Sequence, residues 1–137
     1  MASVYVDSMI KNYPKSNFLV ILNMRIVFRT KKIEKLCTDK EKAKRDLPSA
    51  VAERLIALIH LIESSINLFD LYMNKSLNLH PLKGDRLGQY AMDIAGRKQG
   101  YRLIVKPLSN DDGVLEQVID CETVEVVLIW EVSKHYE

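Results

Sequence analysis

The large apolar residues between Val51 and Phe69 recur at steps of three and four. The series is Val51, Leu55, Leu58, Ile62, Ile66 and Phe69. This spacing puts one apolar side chain per turn on the same face of an α-helix, and Ile56 and Ile59 widen the stripe. The series therefore predicts a long amphipathic helix whose apolar face packs on the rest of the fold.

A second helical pattern precedes it. Ile33 and Leu36 are spaced i, i+3, and the letters "TDKE" at Thr38 to Glu41 fit a capping box at the start of a helix. Pro48 suits the first turn of the following helix, where a missing N–H would have no helical partner anyway. Residues 30–73 are therefore predicted to form a helical hairpin.

Strand patterns flank the helical region on both sides. Strands are predicted where apolar and polar residues alternate or β-branched residues dominate, at Met24–Thr30, Leu79–Lys83, Gln89–Ile94, Tyr101–Lys106 and Val124–Val132. Short connections among the middle three favour antiparallel pairing. The acidic stretch from Ser109 to Glu122 is predicted to be a mobile loop. The fold class is therefore α+β, with an N-terminal strand, a helical hairpin and a mainly antiparallel twisted sheet.

Length and composition fit one globular domain. The chain has 137 residues, of which 47% are hydrophobic. Cys37 and Cys121 lie far apart without a CxxC spacing, which argues against a disulfide framework or a zinc site. No apolar run is longer than Phe18–Leu22, which is much shorter than the ~20 residues that cross a bilayer. We therefore expect a soluble, cytoplasmic protein without a membrane partner.

The net charge of +2 hides an uneven distribution. Residues 25–45 carry nine Lys or Arg against three acids, and residues 83–106 carry six against two. Residues 107–137 have the opposite balance, with one basic residue and eight acids. A nucleic-acid backbone responds to such local patches rather than to the total.

The segment "LHPLKGDRLGQY" concentrates cations on a glycine-containing turn. Gly84 and Gly88 allow a sharp bend, so Lys83 and Arg86 are expected near one sheet edge. Arg102 lies on a strand predicted to pair with Gln89–Ile94 and could face the same surface, where three cations would bind a phosphodiester. The alternative is a solvated basic hairpin that discourages edge pairing.

The titratable groups near these cations leave several roles open. His135 and Tyr136 follow the strongest strand and could take part in proton transfer, or they could simply be exposed. His80 precedes Pro81 and could face the core or the basic turn, whereas His60 lies in an apolar helix and is interpreted as structural. No HExxH, phosphate-loop or GxSxG motif occurs. A nuclease built from these residues should need neither metal nor cofactor.

Four segments together resemble the RelE/HigB-like toxins of type II toxin–antitoxin modules, which include plasmid-maintenance killer proteins. They are "MRIVFRTKKIEKLC", "LHPLKGDRLGQY", "YRLIVKP" and "VEVVLIWEVSKHYE". The resemblance covers Met24 to Tyr136, so we divide the chain into an N-terminal extension, residues 1–23, and a toxin domain, residues 24–137. It implies a RelE-like fold and ribosome-dependent cleavage of mRNA. It also implies neutralisation by a HigA-like helix-turn-helix antitoxin, with DNA bound only through the toxin–antitoxin complex.

The family's chemistry is attack of a ribose 2′-hydroxyl on the adjacent phosphate. The resemblance implies that Lys83, Arg86 and Arg102 bind the phosphate and stabilise its developing charge. It implies proton transfer by His80, His135 or Tyr136. Two further residues complete the expected RNA-binding set, Tyr90 as a stacking ring and Lys106 on the Arg102 face of its strand.

Two departures from the family pattern bear on function. Leu87 stands where members often have a second cation, and the acidic stretch from Asp111 to Glu122 is longer than in compact members. A different class of function is therefore kept as an alternative, because related folds poison DNA gyrase. In this alternative, the chain is a binding module that inhibits another target or only pairs with an antitoxin. A third interpretation is an interaction domain whose cations only solvate its surface.

The boundary at Met24 gives the first testable prediction. A chain that starts at Met24 should stay folded and keep full toxicity, because the resemblance begins there. Growth after induction of the full and shortened chains checks this, with circular dichroism as the control for folding. A folded but harmless short chain would show that residues 1–23 contribute to activity.

Overall fold

The computed structural model describes residues 24–108 and 126–134. The strands are β1 (Arg25–Phe28), β2 (His80–Pro81), β3 (Tyr90–Asp93), β4 (Tyr101–Leu108) and β5 (Val126–Lys134). The helices are α1 (Lys31–Thr38), α2 (Lys40–Asp46), α3 (Ser49–Ser64) and α4 (Leu68–Met73). Short 3-10 turns occupy Lys75–Leu77, Gly84–Arg86 and Arg97–Gln99. The proposed extension and the predicted acidic loop lie outside the described residues.

The prediction that residues 30–73 are mostly helical is confirmed, but they form four helices rather than a simple hairpin. The predicted capping box at Thr38 is wrong by one residue. Thr38 ends α1, and Asp39 caps α2 by accepting hydrogen bonds from the backbone N–H groups of Glu41 and Lys42. Asp39 has the extended backbone that an N-cap requires, so its carboxylate can turn back onto the first helical turn.

The apolar stripe of α3 is also shorter than predicted. The helix ends at Ser64, and Ile66, expected in the stripe, is 61% exposed. The Asn67 side chain accepts a hydrogen bond from the Asp70 N–H at 3.3 Å, and the Asp70 carboxylate accepts one from the Ile66 N–H at 2.9 Å. This reciprocal capping starts a new helix where the periodicity alone predicted a continuous one.

The five strands form one mixed sheet in the order β1-β5-β4-β3-β2. Three pairings are antiparallel, including the two predicted among the middle strands, and β1 pairs with β5 in parallel. A register shift interrupts the β4–β5 ladder between Ile104 and Val105. The chain therefore has an α+β fold whose central strands, β5 and β4, lie next to each other.

Alternation along the strands divides the sheet into two faces. Leu103 and Val105 of β4 are fully buried and pack with the apolar sides of the helices, including Leu55 and Ile62. Arg102, Ile104 and Lys106 alternate onto the opposite side, which we call the second face. The helical layer thus covers one side of the sheet and leaves the polar side chains of β4 on the other.

The glycines of the basic turn behave as the sequence predicts. Gly84 and Gly88 have φ angles of 69° and 93°, which side chains with a Cβ rarely adopt. These angles bring the chain from β2 back into β3 over a short connection. None of the helices within residues 24–108 and 126–134 is long and apolar enough to cross a membrane.

The packing of α3 leads to a stability prediction. Leu55→Ala should lower the free energy of unfolding by about 2–5 kcal/mol, because a fully buried leucine leaves a cavity. Leu61→Ala on the same helix is the matched control, since Leu61 is 37% exposed and should cost well under half as much. Urea denaturation of both variants measures the difference. Equal losses would contradict the assignment of Leu55 to the core.

Candidate nucleic-acid interface

A polar cavity of about 260 Å³ opens on the second face where β2, β3 and β4 meet. Its lining residues are Asn78, His80, Asp93, Gly96, Arg97, Gly100 and Arg102. The volume is many times the ~10–15 Å³ that one water needs. This cavity brings together two residues that the sequence predicted for the site, His80 and Arg102.

Arg102 is held by the pairing of three strands. It lies opposite Asp93 of β3 and Ser133 of β5 in the sheet register. Its Nε is buried and has no hydrogen-bond partner, and the described residues offer its guanidinium no ion pair. A guanidinium fixed in this way and not paired with another described residue can donate to an anion that enters the cavity.

His80 is oriented by a backbone carbonyl. Its Nδ1 lies 2.7 Å from the carbonyl oxygen of Asn78, which adopts a left-handed backbone with φ 53°. Because a carbonyl oxygen only accepts, Nδ1 must carry the proton, and Nε2 of the neutral ring is then the unprotonated nitrogen. His80 also pairs with Ala91 across β2 and β3, which places it on the second face. The contact therefore prepares Nε2 to accept a proton.

Asp93 is one of the cavity residues that the site prediction did not include, as is Arg97. It is only 7% exposed, yet its carboxylate makes no hydrogen bond or ion pair with another described residue. It lies directly opposite Arg102 in the register, but the two side chains do not form an ion pair. The sequence signal was an acid at the polar position of a predicted strand, facing a cation on the next strand.

The Arg86 guanidinium is less free to bind a phosphate than the sequence suggested. Its Nη2 lies 2.7 Å from a carboxylate oxygen of Glu131, and its Nε donates to the Gln89 side chain at 3.0 Å. Glu131 is on β5, so Arg86 reaches from the β2–β3 connection over β3 and β4. Ala91 and Ile104, which pair beneath this path, are fully buried. Arg86 therefore bridges the sheet in addition to contributing charge.

Lys83 and Lys106 occupy different surroundings. Lys83 is exposed immediately before the 3-10 turn Gly84–Arg86 and does not line the cavity. Lys106 lies on the second face with its Nζ 4.8 Å from the centre of the Trp130 ring, and the Arg29 guanidinium carbon is 4.5 Å from the same centre. The Arg29 Nε also donates to the Trp130 carbonyl at 2.8 Å. This aromatic cluster was not predicted, because it joins β1, β4 and β5.

Tyr90 is placed in the core rather than at the surface. Its side chain is 1% exposed and packs with the apolar face of the sheet. A nucleotide base has no access to its ring in this arrangement, so we assign Tyr90 a packing role. The other two predicted proton-transfer residues, His135 and Tyr136, lie outside the described residues.

Cys37 is not suited to act as a nucleophile. Burial raises the pKa of its thiol to about 12, so the reactive thiolate is scarce at neutral pH. Within residues 24–108 and 126–134, no group of three or more His, Cys, Asp or Glu side chains is arranged to hold a metal ion. The chemical groups of the second face are therefore its cations, His80 and the carboxylates of Asp93 and Glu131.

Comparison with known proteins adds no relative. No protein-family model matches the chain, and no curated protein matches it in sequence. Support for a function therefore comes from the geometry of the second face and from the resemblance described above.

The Arg86–Glu131 bridge gives a prediction for RNA binding. Glu131→Gln should raise the affinity for a short single-stranded RNA at low salt, because it frees the Arg86 guanidinium. The gain should be up to about fivefold, since a partly exposed ion pair contributes about 1 kcal/mol at most. Asp85→Asn is the control, since it removes the same charge from the exposed turn beside Arg86. Fluorescence anisotropy compares the two. An equal gain in both variants would mean that only net charge matters.

Proposed function

We propose that this chain is the toxin of a type II toxin–antitoxin system and acts as a ribosome-dependent mRNA endoribonuclease. The observation that carries the proposal is that one cavity holds both Arg102, whose Nε has no hydrogen-bond partner among the described residues, and an oriented His80. The α+β fold, with helices on one side of the sheet, is compatible with a RelE-like architecture. The four resembling segments supply the remaining support.

The proposed reaction requires no group beyond the chain and the RNA. The His80 Nε2 takes the proton of the ribose 2′-hydroxyl, whose oxygen forms a bond to the adjacent phosphorus. Arg102 donates hydrogen bonds to the non-bridging oxygens as their negative charge grows. The bond from phosphorus to the 5′-oxygen breaks, and that oxygen takes up a proton from water as it leaves, while the protonated His80 returns its proton to the solvent. The products are a 2′,3′-cyclic phosphate and a 5′-hydroxyl.

The rest of the second face suits an RNA strand. Arg29 and Lys106 lie near the Trp130 ring at the far end of β4, and the exposed Arg97 lies at the cavity rim. Cations interleaved with an aromatic ring are typical of single-stranded nucleic-acid surfaces. In this proposal the scissile phosphate lies at Arg102 and the flanking backbone extends toward Lys106. The ribosome would present the mRNA, and a HigA-like helix-turn-helix antitoxin would neutralise the toxin.

Two observations favour the alternative of a binding module without nuclease activity. The Arg86 guanidinium is already paired with Glu131, and the Tyr90 ring is buried. Both reduce the set of residues that would engage RNA. Induction in growing bacteria followed by mapping of mRNA 5′ ends separates the two. Cuts within translated frames support cleavage, whereas growth arrest with intact mRNA supports the binding module.

Arg102 gives the sharpest prediction for the chemistry. Arg102→Ala should slow single-turnover cleavage of ribosome-bound mRNA by about a hundredfold or more, because a donor to the transition-state oxyanion contributes roughly 3 kcal/mol. Arg102→Lys should recover only part of this loss, since an ammonium lacks the planar pair of donors.

Arg54→Ala is the matched control, because Arg54 lies on α3 away from the cavity and should leave the rate unchanged. Circular dichroism and antitoxin binding verify that each variant is folded. Cleavage by Arg102→Ala within about threefold of the wild-type rate would contradict the role given to Arg102.

A further inference from the structure

A β-bulge turns two consecutive side chains of β5 onto the second face. The register shift between β4 and β5 leaves Trp130 as an extra residue with no residue opposite it on β4. Its predecessor Ile129 is fully buried, whereas Trp130 and Glu131 both contact side chains of the second face. Bulges re-aim side chains in this way and are frequent next to functional sites.

Arg29 is anchored against Trp130 at two points. Its backbone N–H donates to the Ile129 carbonyl at 3.0 Å, and its Nε donates to the Trp130 carbonyl at 2.8 Å. The guanidinium carbon then lies 4.5 Å from the centre of the Trp130 ring. Because the two terminal NH2 groups donate to no described residue, they remain available to a ligand.

Lys106 brings a second cation to the same ring. Its Nζ lies 4.8 Å from the ring centre, and it forms no hydrogen bond or ion pair with another described residue. Because like charges repel, two cations held against one ring favour an anion that contacts both. A phosphodiester is such an anion, since its two non-bridging oxygens share one negative charge and accept hydrogen bonds from guanidinium and ammonium groups.

Arg29, Lys106 and Trp130, which we call the tryptophan cluster, lie at a defined distance from the cavity. Lys106 is four residues from Arg102 on the same side of β4, which places the two about 13 Å apart along the strand. A cationic surface that follows a single strand meets its phosphates at regular intervals. The spacing corresponds to roughly two backbone steps of an extended RNA strand.

We propose that the tryptophan cluster is a second phosphate subsite, in which Arg29 and Lys106 bind the phosphate two nucleotides away from the one at Arg102. The inference rests on the proposed function, because it assigns both phosphates to one mRNA strand. The intervening phosphate passes over the neutral Arg86–Glu131 bridge. The subsite positions the strand, and its residues take no part in the bond making and breaking.

The length of a bound oligonucleotide tests the subsite without the ribosome. Oligothymidylates of two to five nucleotides are suitable probes, because they lack the 2′-hydroxyl and are not cleaved. The tetranucleotide is the first with three phosphates. It should bind on the order of tenfold or more tightly than the trinucleotide, because its second contact is intramolecular. A smooth rise of affinity with length, without a step at the tetranucleotide, would overturn the subsite.

The emission of Trp130 gives a direct readout, since it is the only tryptophan of the chain. Saturation with the tetranucleotide should change this emission, because a phosphate then lies beside the two cations that contact the ring. Unchanged emission at saturation would overturn the subsite. Triglutamate carries the same net charge as the tetranucleotide and should bind at least about tenfold more weakly. Equal binding of this peptide would assign the surface to an acidic protein partner and overturn the phosphate subsite.

Lys106→Gln removes one of the two cations without breaking a hydrogen bond to a described residue. It should abolish the step at the tetranucleotide. It should also make the slope of log affinity against log salt shallower by about 0.7, as one lost phosphate contact to a single strand does. Lys40→Gln is the matched control, because Lys40 is exposed at the start of α2, in the helical layer. Equal effects of the two variants would overturn the role of Lys106.

The binding series and the mRNA cleavage maps together separate the failure of this inference from the failure of the proposed function. Cuts within translated frames by a chain that shows no length step would overturn the second subsite alone. A length step in a chain that leaves mRNA intact would overturn the proposed function and the assignment of both phosphates to mRNA.

Discussion

The pairing of β4 with its two neighbours determines where every candidate functional group lies. Leu103 and Val105 are anchored in the core, so their neighbours along the strand, including Arg102, must face the opposite side. A slip of one residue would turn Arg102 inward and expose Leu103. The burial energy of the core therefore fixes the direction of the arginine, and no contact of its guanidinium with other protein groups is needed for this.

Local patterns predicted the elements well because helices and strand alternation are encoded by neighbouring residues. The α3 stripe and the polar side of β4 are examples, since each depends on spacing within one segment. The break before α4 was missed because Asn67 and Asp70 supply a cap that interrupts an otherwise continuous period. The parallel pairing of β1 with β5 was not predicted either. It joins segments about a hundred residues apart, and no local pattern specifies such a partner.

The candidate site was likewise predicted only where local sequence segments specify it. Arg102 and His80 were expected because each stands in a distinctive local segment, and the sheet brings both to one cavity. The partner of Arg86 is 45 residues away on β5, so the sequence showed the cation without showing its neutralisation. Trp130 likewise acquires its two cationic neighbours only when β1 and β4 flank β5. Chemistry that depends on long-range contacts was the part that sequence reasoning could not supply.

The arrangement of charges along β4 gives the second face three parts with different roles. The Arg102–Asp93 cavity lies at one end, the Arg86–Glu131 bridge crosses near Ile104, and Lys106 with Trp130 lies at the other end. The bridge has no net charge, so it separates two regions that attract anions. In the proposed function, a strand of RNA would meet cations at both ends of this face and a neutral, packed centre between them. Asp93 adds a carboxylate at the first end, where the two cations Arg97 and Arg102 outnumber it.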